Sequence, residues 1–214
     1  MLQFKKEDII IHPKVHKYTL VFLPGWSRSA NKDLNVFKTV PFIENMKIRI
    51  VQPPHRQVLT TTRSLPSWFM IDLDVPSTLM AGLNETSRLI DEILQEEYDL
   101  CPNIFLGGFS QGGVTALYTG LVTSRIPLLG IFALSCFIPS AKWKEDRKKI
   151  PLFIYHGNRD EIVPYNITRP AAERVFKDFN FNFENDPGLG HTYSWKEFIV
   201  LKKWMKKCLY YEKL

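Results

Sequence analysis

The chain has 214 residues, 45% of them hydrophobic, which is enough for one domain (residues 1–214) with a full core and no disulfide or metal to stabilise it. Its three cysteines are scattered, without the C-x-x-C spacing of a metal site, so we expect free thiols in a reducing, cytoplasmic compartment and no structural metal. The formal net charge is +6, but no recognisable nucleic-acid module surrounds the excess lysines, so we expect no nucleic-acid partner.

The excess positive charge is concentrated in two segments, 142–149 and 202–207. In the second, four lysines lie on one side of a predicted C-terminal helix: Lys202, Lys203, Lys206 and Lys207. A solvated helix face explains this pattern, because cations also suit the C-terminal end of the helix dipole. The alternative is contact with an anionic membrane surface, worth about 1 kcal/mol for each lysine close to it. No apolar run is long enough to span a membrane, and the first residues lack the apolar core of a secretory signal.

The first half of the chain predicts a strand over residues 18–23, which runs into a loop of turn-forming residues, 24–29, and then into a helix. A second strand is predicted over 47–51. From 52 to about 75 the sequence is irregular, and a loop of this length in a compact domain usually carries function. Apolar residues then recur with helical spacing from Leu79 to Leu94, which predicts an amphipathic helix that ends near Tyr98.

The next stretch, 103–117, carries the most informative pattern of the chain. An apolar strand runs into GGFSQGG at 107–113, which contains G-x-S-x-G, and a helix follows. This pattern is typical of a nucleophile elbow, a strand-to-helix turn so tight that the residues beside its serine, Ser110, must be nearly free of side chains. We expect Gly108, Gly112 and Gly113 to supply the unusual backbone angles and close approaches that the turn requires.

Beyond the elbow, strands are predicted over 127–134, 151–155 and 181–184, with a helix over 168–179 between the last two. Ser194 begins a final helix, with Glu197 at the capping-box position three residues later. Continuous apolar strands that alternate with helices predict an α/β fold, in which a mostly parallel sheet is covered by helices on both faces. Such sheets bind their ligands beyond the carboxyl ends of the strands.

Three polar residues follow strands at this predicted edge: Ser110, Asp160 and His191. A serine hydroxyl is a weak nucleophile, so it needs a histidine as base, and a carboxylate holds that histidine in the required tautomer. The chain order Ser, Asp, His is the order of α/β-hydrolases. Glu161 remains the alternative acid, and His156 is interpreted as a structural residue at a strand end.

A tetrahedral intermediate on the serine needs N–H donors for its oxyanion. One is expected to be the backbone N–H of Gln111, directly after the nucleophile, and the other that of Trp26, in the loop after the first strand. Because both donors are backbone groups, replacing these side chains would test them poorly.

These motifs together resemble the acyl-protein thioesterase and lysophospholipase family of small carboxylesterases in the α/β-hydrolase superfamily. Five segments carry the resemblance in the family's order: PSWF at 66–69, GGFSQGG at 107–113, LSCFIP at 134–139, HGNRDEIVP at 156–164 and GLGH at 188–191. The resemblance implies an α/β-hydrolase fold without a cofactor, and it assigns the catalytic and oxyanion roles to the same residues as above. It also implies an acyl-binding channel formed in part by Trp68, Phe69 and Phe137.

The resemblance further implies a serine hydrolase of carboxylic esters or thioesters, with an acylated protein, a lysophospholipid or a small ester as substrate. We expect a monomer or weak dimer. The chain departs from the family pattern at 23–28, which reads LPGWSR where the family has Leu-His-Gly-x-Gly-Asp. It also departs at Met70, which stands where the family has an aspartate, although Asp72 lies close by in the sequence. Because Trp26 can narrow the channel, a short-chain carboxylesterase is one alternative. A catalytically silent relative that binds acyl chains or a partner protein is the other.

Overall fold

The computed structural model of the protein describes residues 8–39, 43–57, 63–70 and 77–211, which form nine strands and five α-helices. The strands are β1 (Ile9–Ile11), β2 (Tyr18–Leu23), β3 (Met46–Ile50), β4 (His55–Gln57), β5 (Ser64–Pro66), β6 (Ile104–Phe109), β7 (Gly130–Leu134), β8 (Leu152–Gly157) and β9 (Phe181–Asp186). The helices are α1 (Ala30–Thr39), α2 (Ser77–Leu100), α3 (Gln111–Tyr118), α4 (Tyr165–Val175) and α5 (Trp195–Tyr211). Strands and helices therefore alternate along most of the chain, as the sequence predicts.

Seven strands form one sheet in the order β1-β3-β2-β6-β7-β8-β9, and β4 pairs with β5 in a separate antiparallel sheet. From β3 to β9 every neighbouring pair in the large sheet is parallel, and β1 runs antiparallel to β3. The register brings carboxyl ends together, since Leu23 of β2 is paired with Gly108 of β6, and Phe109 of β6 with Leu134 of β7. The loops that follow these strands consequently meet at one edge of the sheet.

Helices cover both faces of the large sheet, because side chains along a strand point alternately to its two sides. Val21 and Leu23 of β2 belong to the core that α2, α3 and α4 cover, whereas Leu20 and Phe22 belong to the core that α1 and α5 cover. All four side chains are fully buried, and full burial of a side chain of this kind contributes about 1.5–3 kcal/mol. This architecture confirms the predicted mostly parallel sheet with helices on both faces.

The structure differs from the prediction at one sheet edge and at the ends of several elements. The sequence pattern does not predict β1, because an edge strand of three residues is too short to show a recurring alternation. Helix α4 begins at Tyr165, directly after Pro164, where the missing N–H of proline is harmless. The segment predicted to be irregular contains β4 and β5, while its residues 58–62 and 71–76, including Asp72, lie outside the described residues.

The start of α5 follows the sequence prediction closely. The backbone N–H of Ser194 donates to Glu197 Oε2 at 3.2 Å, and the backbone N–H of Glu197 donates to Ser194 Oγ at 3.0 Å. This reciprocal pair confirms the capping box, which satisfies donors that a helix start otherwise leaves without partners. It also fixes the end of the loop that carries His191.

The three cysteines, Cys101, Cys136 and Cys208, are buried, and no disulfide joins them. Burial raises the pKa of the Cys136 thiol well above its usual value. This thiol therefore stays protonated and is a poor nucleophile, although it lies just beyond the carboxyl end of β7. In the part of the chain that the structure describes, no helix combines the length and the apolar character needed to cross a membrane.

Candidate active site

The carboxyl edge of the sheet brings together three side chains that are far apart in sequence. Ser110 follows β6, Asp160 follows β8 and His191 follows β9. His191 Nε2 lies 3.0 Å from Ser110 Oγ, and His191 Nδ1 lies 2.8 Å from Asp160 Oδ2. Because a carboxylate only accepts, Nδ1 carries the proton of a neutral His191, which leaves Nε2 to accept from the serine hydroxyl. This is the arrangement of a hydroxyl, a base and an orienting acid.

The backbone of Ser110 is in an unusual conformation, with φ 52° and ψ −120°. The sequence predicts that the surrounding glycines supply such angles, but none of the glycines has positive φ, so this part of the prediction is wrong. The glycines instead allow close approach of the backbone. A Cβ on Gly112 would lie 2.0 Å from the carbonyl oxygen of Leu23, and a Cβ on Gly108 would lie 2.4 Å from the carbonyl carbon of Gly112. The turn therefore packs directly against the end of β2.

Asp160 is buried and accepts hydrogen bonds on both carboxylate oxygens. The backbone N–H groups of Ile162 and Val163 donate to Oδ1 at 3.0 and 2.8 Å, while Oδ2 faces His191. Burial acts to raise the pKa of Asp160, but hydrogen bonds from His156, His191 and Val163 outweigh it and hold that pKa well below its usual value. Asp160 is therefore a fixed negative charge behind the histidine ring.

His156 and Glu161 do not occupy the positions of the base and the orienting acid. His156 is fully buried, and its Nε2 lies 2.7 Å from the carbonyl oxygen of Val163 and 3.4 Å from Asp160 Oδ2. Since a carbonyl oxygen only accepts, His156 Nε2 carries a proton and supports the loop that holds Asp160. Glu161 is exposed, and it is Asp160 that contacts His191.

The two predicted oxyanion donors lie on either side of the serine. Gln111 is the first residue of α3, so its backbone N–H has no intrahelical acceptor. Trp26 belongs to the loop after β2, and this loop reaches the serine at Gly25, where a Cβ would lie 3.4 Å from Ser110 Cβ. Trp26, Gln111 and Ser110 all line the same cleft.

This cleft has a volume of about 460 Å³, within the range of sites for small ligands. Phe137 lines it, as the resemblance implies, and Ile162 and Val163 add apolar surface from the loop after β8. Ile162 and Val163 are not among the predicted site residues, although both lie within the HGNRDEIVP segment. Their signal is the pair of apolar residues directly after Asp160, in a loop that would otherwise be polar.

Trp68 and Phe69 are not in the wall of the cleft, which corrects their predicted place in the acyl-binding channel. Both side chains are fully buried in the core. The Phe69 ring packs edge-on behind Phe137, with ring centroids 6.4 Å apart. The aromatic segment therefore lies one layer beneath the cleft surface, where it supports residues that reach the cleft.

The buried segment that contains Trp68 instead braces the loop of Trp26. Trp68 Nε1 donates to the carbonyl oxygen of Pro24 at 2.6 Å, and the backbone N–H of Ser27 donates to the carbonyl oxygen of Pro66 at 2.8 Å. The Gln111 side chain turns inward and ties the same segment to α3, accepting from Trp68 N at 2.8 Å. These bonds fix both predicted oxyanion donors relative to each other.

Comparisons with known proteins identify the family of the chain. A family model described as phospholipase/carboxylesterase matches residues 5–209. Acyl-protein thioesterase 1 of Cryptococcus neoformans var. neoformans serotype D is 31% identical over 229 residues, with 93% of this chain and 96% of the relative covered. Acyl-protein thioesterase 1 of Kluyveromyces lactis is 34% identical over 161 residues, with 68% of this chain and 70% of the relative covered.

Solved structures with similar folds include acyl-protein thioesterase 2 of Zea mays, with a TM-score of 0.79, 24% identity and coverage of 95% of this chain and 99% of the other. Arabidopsis thaliana SOBER1 has a TM-score of 0.74 and 25% identity, with 90% of this chain and 99% of the other covered. Both support the α/β-hydrolase fold. Because the family model spans nearly the whole length and the fungal relatives exceed 30% identity, the chain belongs to the phospholipase/carboxylesterase family and is a hydrolase of the esterase and thioesterase class.

Proposed function

We propose that this hydrolase cleaves esters or thioesters of fatty acids with Ser110 as nucleophile, His191 as general base and acid, and Asp160 as the carboxylate that orients His191. The observation that carries the proposal is the continuous hydrogen-bonded array from Ser110 Oγ through the imidazole to Asp160, at 3.0 and 2.8 Å. The array opens into the cleft, where a substrate carbonyl has access to Ser110.

In the proposed reaction His191 Nε2 takes the hydroxyl proton as Ser110 Oγ attacks the acyl carbonyl. The oxyanion accepts from the N–H groups of Trp26 and Gln111, and losing one such donor typically costs about 2.7–4 kcal/mol of transition-state stabilisation. The imidazolium then protonates the departing alcohol or thiol, and water releases the acid by the same steps in reverse. A thiol has a pKa of about 8.5, so a thiolate can depart with little proton donation from His191, and this favours thioesters as substrates.

An acylated protein is the substrate class that we infer first, because the relatives described above are named acyl-protein thioesterases. The apolar surface of Phe137, Ile162 and Val163 suits a fatty acyl chain beside the serine. A lysophospholipid or a small ester presents the same carbonyl chemistry, so the acyl chain is the part of the substrate that the cleft is expected to select.

A second candidate is a short-chain carboxylesterase. It is favoured by Trp26, whose side chain lines the cleft, is 50% exposed and can narrow the space for an acyl chain.

If the cleft binds a fatty acyl chain, as we propose, kcat/KM should be at least about tenfold higher for an octanoyl than for an acetyl thioester, since each buried methylene contributes about 0.8 kcal/mol. Trp26→Ala keeps the backbone N–H, and it should increase turnover of long chains more than of short ones.

The chain-length series is measured with thioesters of two to sixteen acyl carbons on one thiol, with Trp195→Ala as the matched control. Trp195 is 55% exposed and is not among the residues that line the cleft, so its replacement should leave the profile unchanged. A preference of the wild-type protein for acetyl over octanoyl would select the short-chain candidate and reject the fatty-acyl proposal.

Trp68→Phe tests the proposed support of the oxyanion loop. It removes the hydrogen bond to the Pro24 carbonyl but keeps most of the ring, and we expect kcat to fall about tenfold, because small misplacements of catalytic groups are costly. KM should change much less. Trp204→Phe removes a similar volume from the opposite core and should lower stability without lowering kcat. Equal losses of kcat in the two variants would assign Trp68 to packing alone.

We further propose a reducing, cytoplasmic setting, supported by three cysteines that no disulfide joins. Lys202 and Lys206 lie beside Tyr18, the first residue of β2, at the edge of the sheet opposite the serine. Membrane contact through these lysines would turn the cleft away from the lipid. These lysines therefore belong to a solvated helix face in the proposed function.

A further inference from the structure

Arg28 is the one formally charged residue among the described residues that line the cleft. Its side chain is 33% exposed, and it stands at a position where the family resemblance implies an aspartate. A charged group beside apolar surface loses solvation, so its retention there requires compensating contacts.

The contacts of Arg28 hold the guanidinium in place from the protein side. Nε donates to Asp33 Oδ1 at 2.8 Å, and Nη2 donates to the same oxygen. Asp33 lies in the first turn of α1 and is fully buried. The guanidinium also lies over the Tyr193 ring, 5.0 Å from its centroid. The side chain is therefore oriented before any substrate arrives, and binding to it costs little conformational entropy.

The pairing with Asp33 leaves part of the guanidinium available. Of its five N–H groups, Asp33 takes one on Nε and one on Nη2, and the Tyr193 hydroxyl is a further side-chain partner among the described residues. N–H groups therefore remain for a ligand. The carboxylate is buried while the guanidinium reaches the cleft, so an anion in the cleft is closer to the positive charge than to the negative one.

Arg28 lies close to the reacting serine. A Cβ on Gly25 would lie 3.4 Å from Ser110 Cβ and 3.5 Å from Arg28 Cδ, so about one methyl group separates the two side chains. The Phe109 ring lies between Tyr193 and His191. Its centroid is 4.4 Å from that of the Tyr193 ring and 4.9 Å from that of the His191 ring. Arg28 and His191 therefore contact two adjacent aromatic rings, Tyr193 and Phe109 respectively, beside the serine.

We propose that Arg28 selects substrates whose leaving group carries a carboxylate or phosphate near the scissile bond. The inference rests on the proposed Ser110-dependent hydrolysis and adds the chemistry of the leaving group to it. The acyl chain occupies the apolar wall at Phe137, Ile162 and Val163, which leaves the guanidinium to face the alcohol or thiol. A guanidinium binds the oxygens of a carboxylate or phosphate through parallel N–H donors.

The test compares substrates that differ only in the anion. S-octanoyl-N-acetylcysteine carries a carboxylate on its thiol portion, and S-octanoyl-N-acetylcysteinamide is its neutral counterpart. We expect the wild-type kcat/KM to be about 10- to 100-fold higher for the anionic thioester, as for other hydrogen bonds to charged groups. Octanoylglycerol 3-phosphate and octanoylglycerol form the matching pair for phosphate, and the larger of the two ratios identifies the anion that the site prefers.

The variants keep the buried pair balanced. Arg28→Gln alone leaves Asp33 as an uncompensated buried charge, so the double variant Arg28→Gln/Asp33→Asn is used, and the anionic-to-neutral ratio should fall to about 1. Arg28→Lys retains the charge without the fork and should retain part of the ratio. Lys196→Gln removes a cation of the α5 start that is 62% exposed and is not among the cleft-lining residues, and it should leave the ratio unchanged.

A wild-type ratio near 1 for both pairs, or an undiminished ratio in the double variant, would overturn the role of Arg28. An equal loss of the anionic-to-neutral ratio in Lys196→Gln would overturn it too, because the preference would then come from the positive charge of the whole protein surface. A third comparison uses glutaryl and butanoyl thioesters of N-acetylcysteamine, in which the carboxylate is on the acyl group. A preference for glutaryl would show that Arg28 recognises an anion on the acyl group and would overturn its proposed role toward the leaving group. Failure of the proposed function is distinguishable, because the wild-type protein would then hydrolyse neither member of a pair in a Ser110-dependent way.

Discussion

Ser110→Ala is expected to lower kcat/KM for acyl esters and thioesters by about 10⁴- to 10⁶-fold, the range seen when a nucleophile of this kind is removed. The hydroxyl lies within hydrogen-bond distance of His191 Nε2, and alanine has no nucleophile to put in its place. Folding should be little affected, because the side chain is only partly buried at the cleft. A fluorophosphonate probe should label the wild-type protein and not the variant.

Ser110→Gly separates the catalytic effect from backbone strain. Ser110 has φ 52°, which glycine adopts more readily than alanine, so the glycine variant should be about 1 kcal/mol more stable to urea than the alanine variant. Both should be inactive. Retained turnover or retained labelling in either variant would remove Ser110 from the mechanism. A folded wild-type protein that shows no Ser110-dependent adduct would instead favour the catalytically silent alternative.

Asp160→Asn is expected to lower kcat by about four orders of magnitude, as the same change does in serine proteases. The backbone N–H groups of Ile162 and Val163 both donate to Oδ1, so the amide oxygen of asparagine should occupy that position. Its NH₂ group then faces His191 Nδ1 and favours the tautomer with the proton on Nε2. That tautomer cannot accept the serine proton, so the base is lost although the side chains remain in place.

Glu161→Gln is the matched control for the acid, since it also removes one carboxylate and lies next in the chain. Glu161 is exposed, so its replacement should change kcat by less than about twofold, as is usual for surface substitutions. Steady-state kinetics of both variants with one thioester decide the assignment. A larger loss in Glu161→Gln than in Asp160→Asn would make Glu161 the orienting acid.

Local sequence patterns were sufficient for much of the fold, since they depend on neighbouring residues. The alternation of apolar strands with amphipathic helices predicts the mostly parallel sheet, and the spacing of Ser194 and Glu197 predicts the start of α5. Errors occur where a distant partner decides. Strand β1 exists because Ile9–Ile11 pairs with β3, and no periodicity within three residues reveals that partner.

The aromatic segment illustrates the same limit at the candidate site. The sequence PSWF at 66–69 matches a family motif, but whether Trp68 faces a ligand or the protein interior depends on which residues pack against it. In the fold its indole N–H meets the carbonyl oxygen of Pro24, and its side chain is fully buried. Arg28 is a similar case, because only the buried position of Asp33 and the Tyr193 ring make its guanidinium an oriented group at the cleft.

The sequence by itself determined the fold class, the tight turn at Ser110 and the candidate residues Asp160 and His191, because strand and turn signals are local and the carboxyl ends of parallel strands must share an edge. Only the tertiary structure decided which acid faces the histidine, which aromatic rings reach the cleft, and that Arg28 is the formally charged side chain among the described residues that line it. Those outcomes depend on contacts with segments that are distant in the sequence, and such contacts are set by packing of the two cores on the sheet.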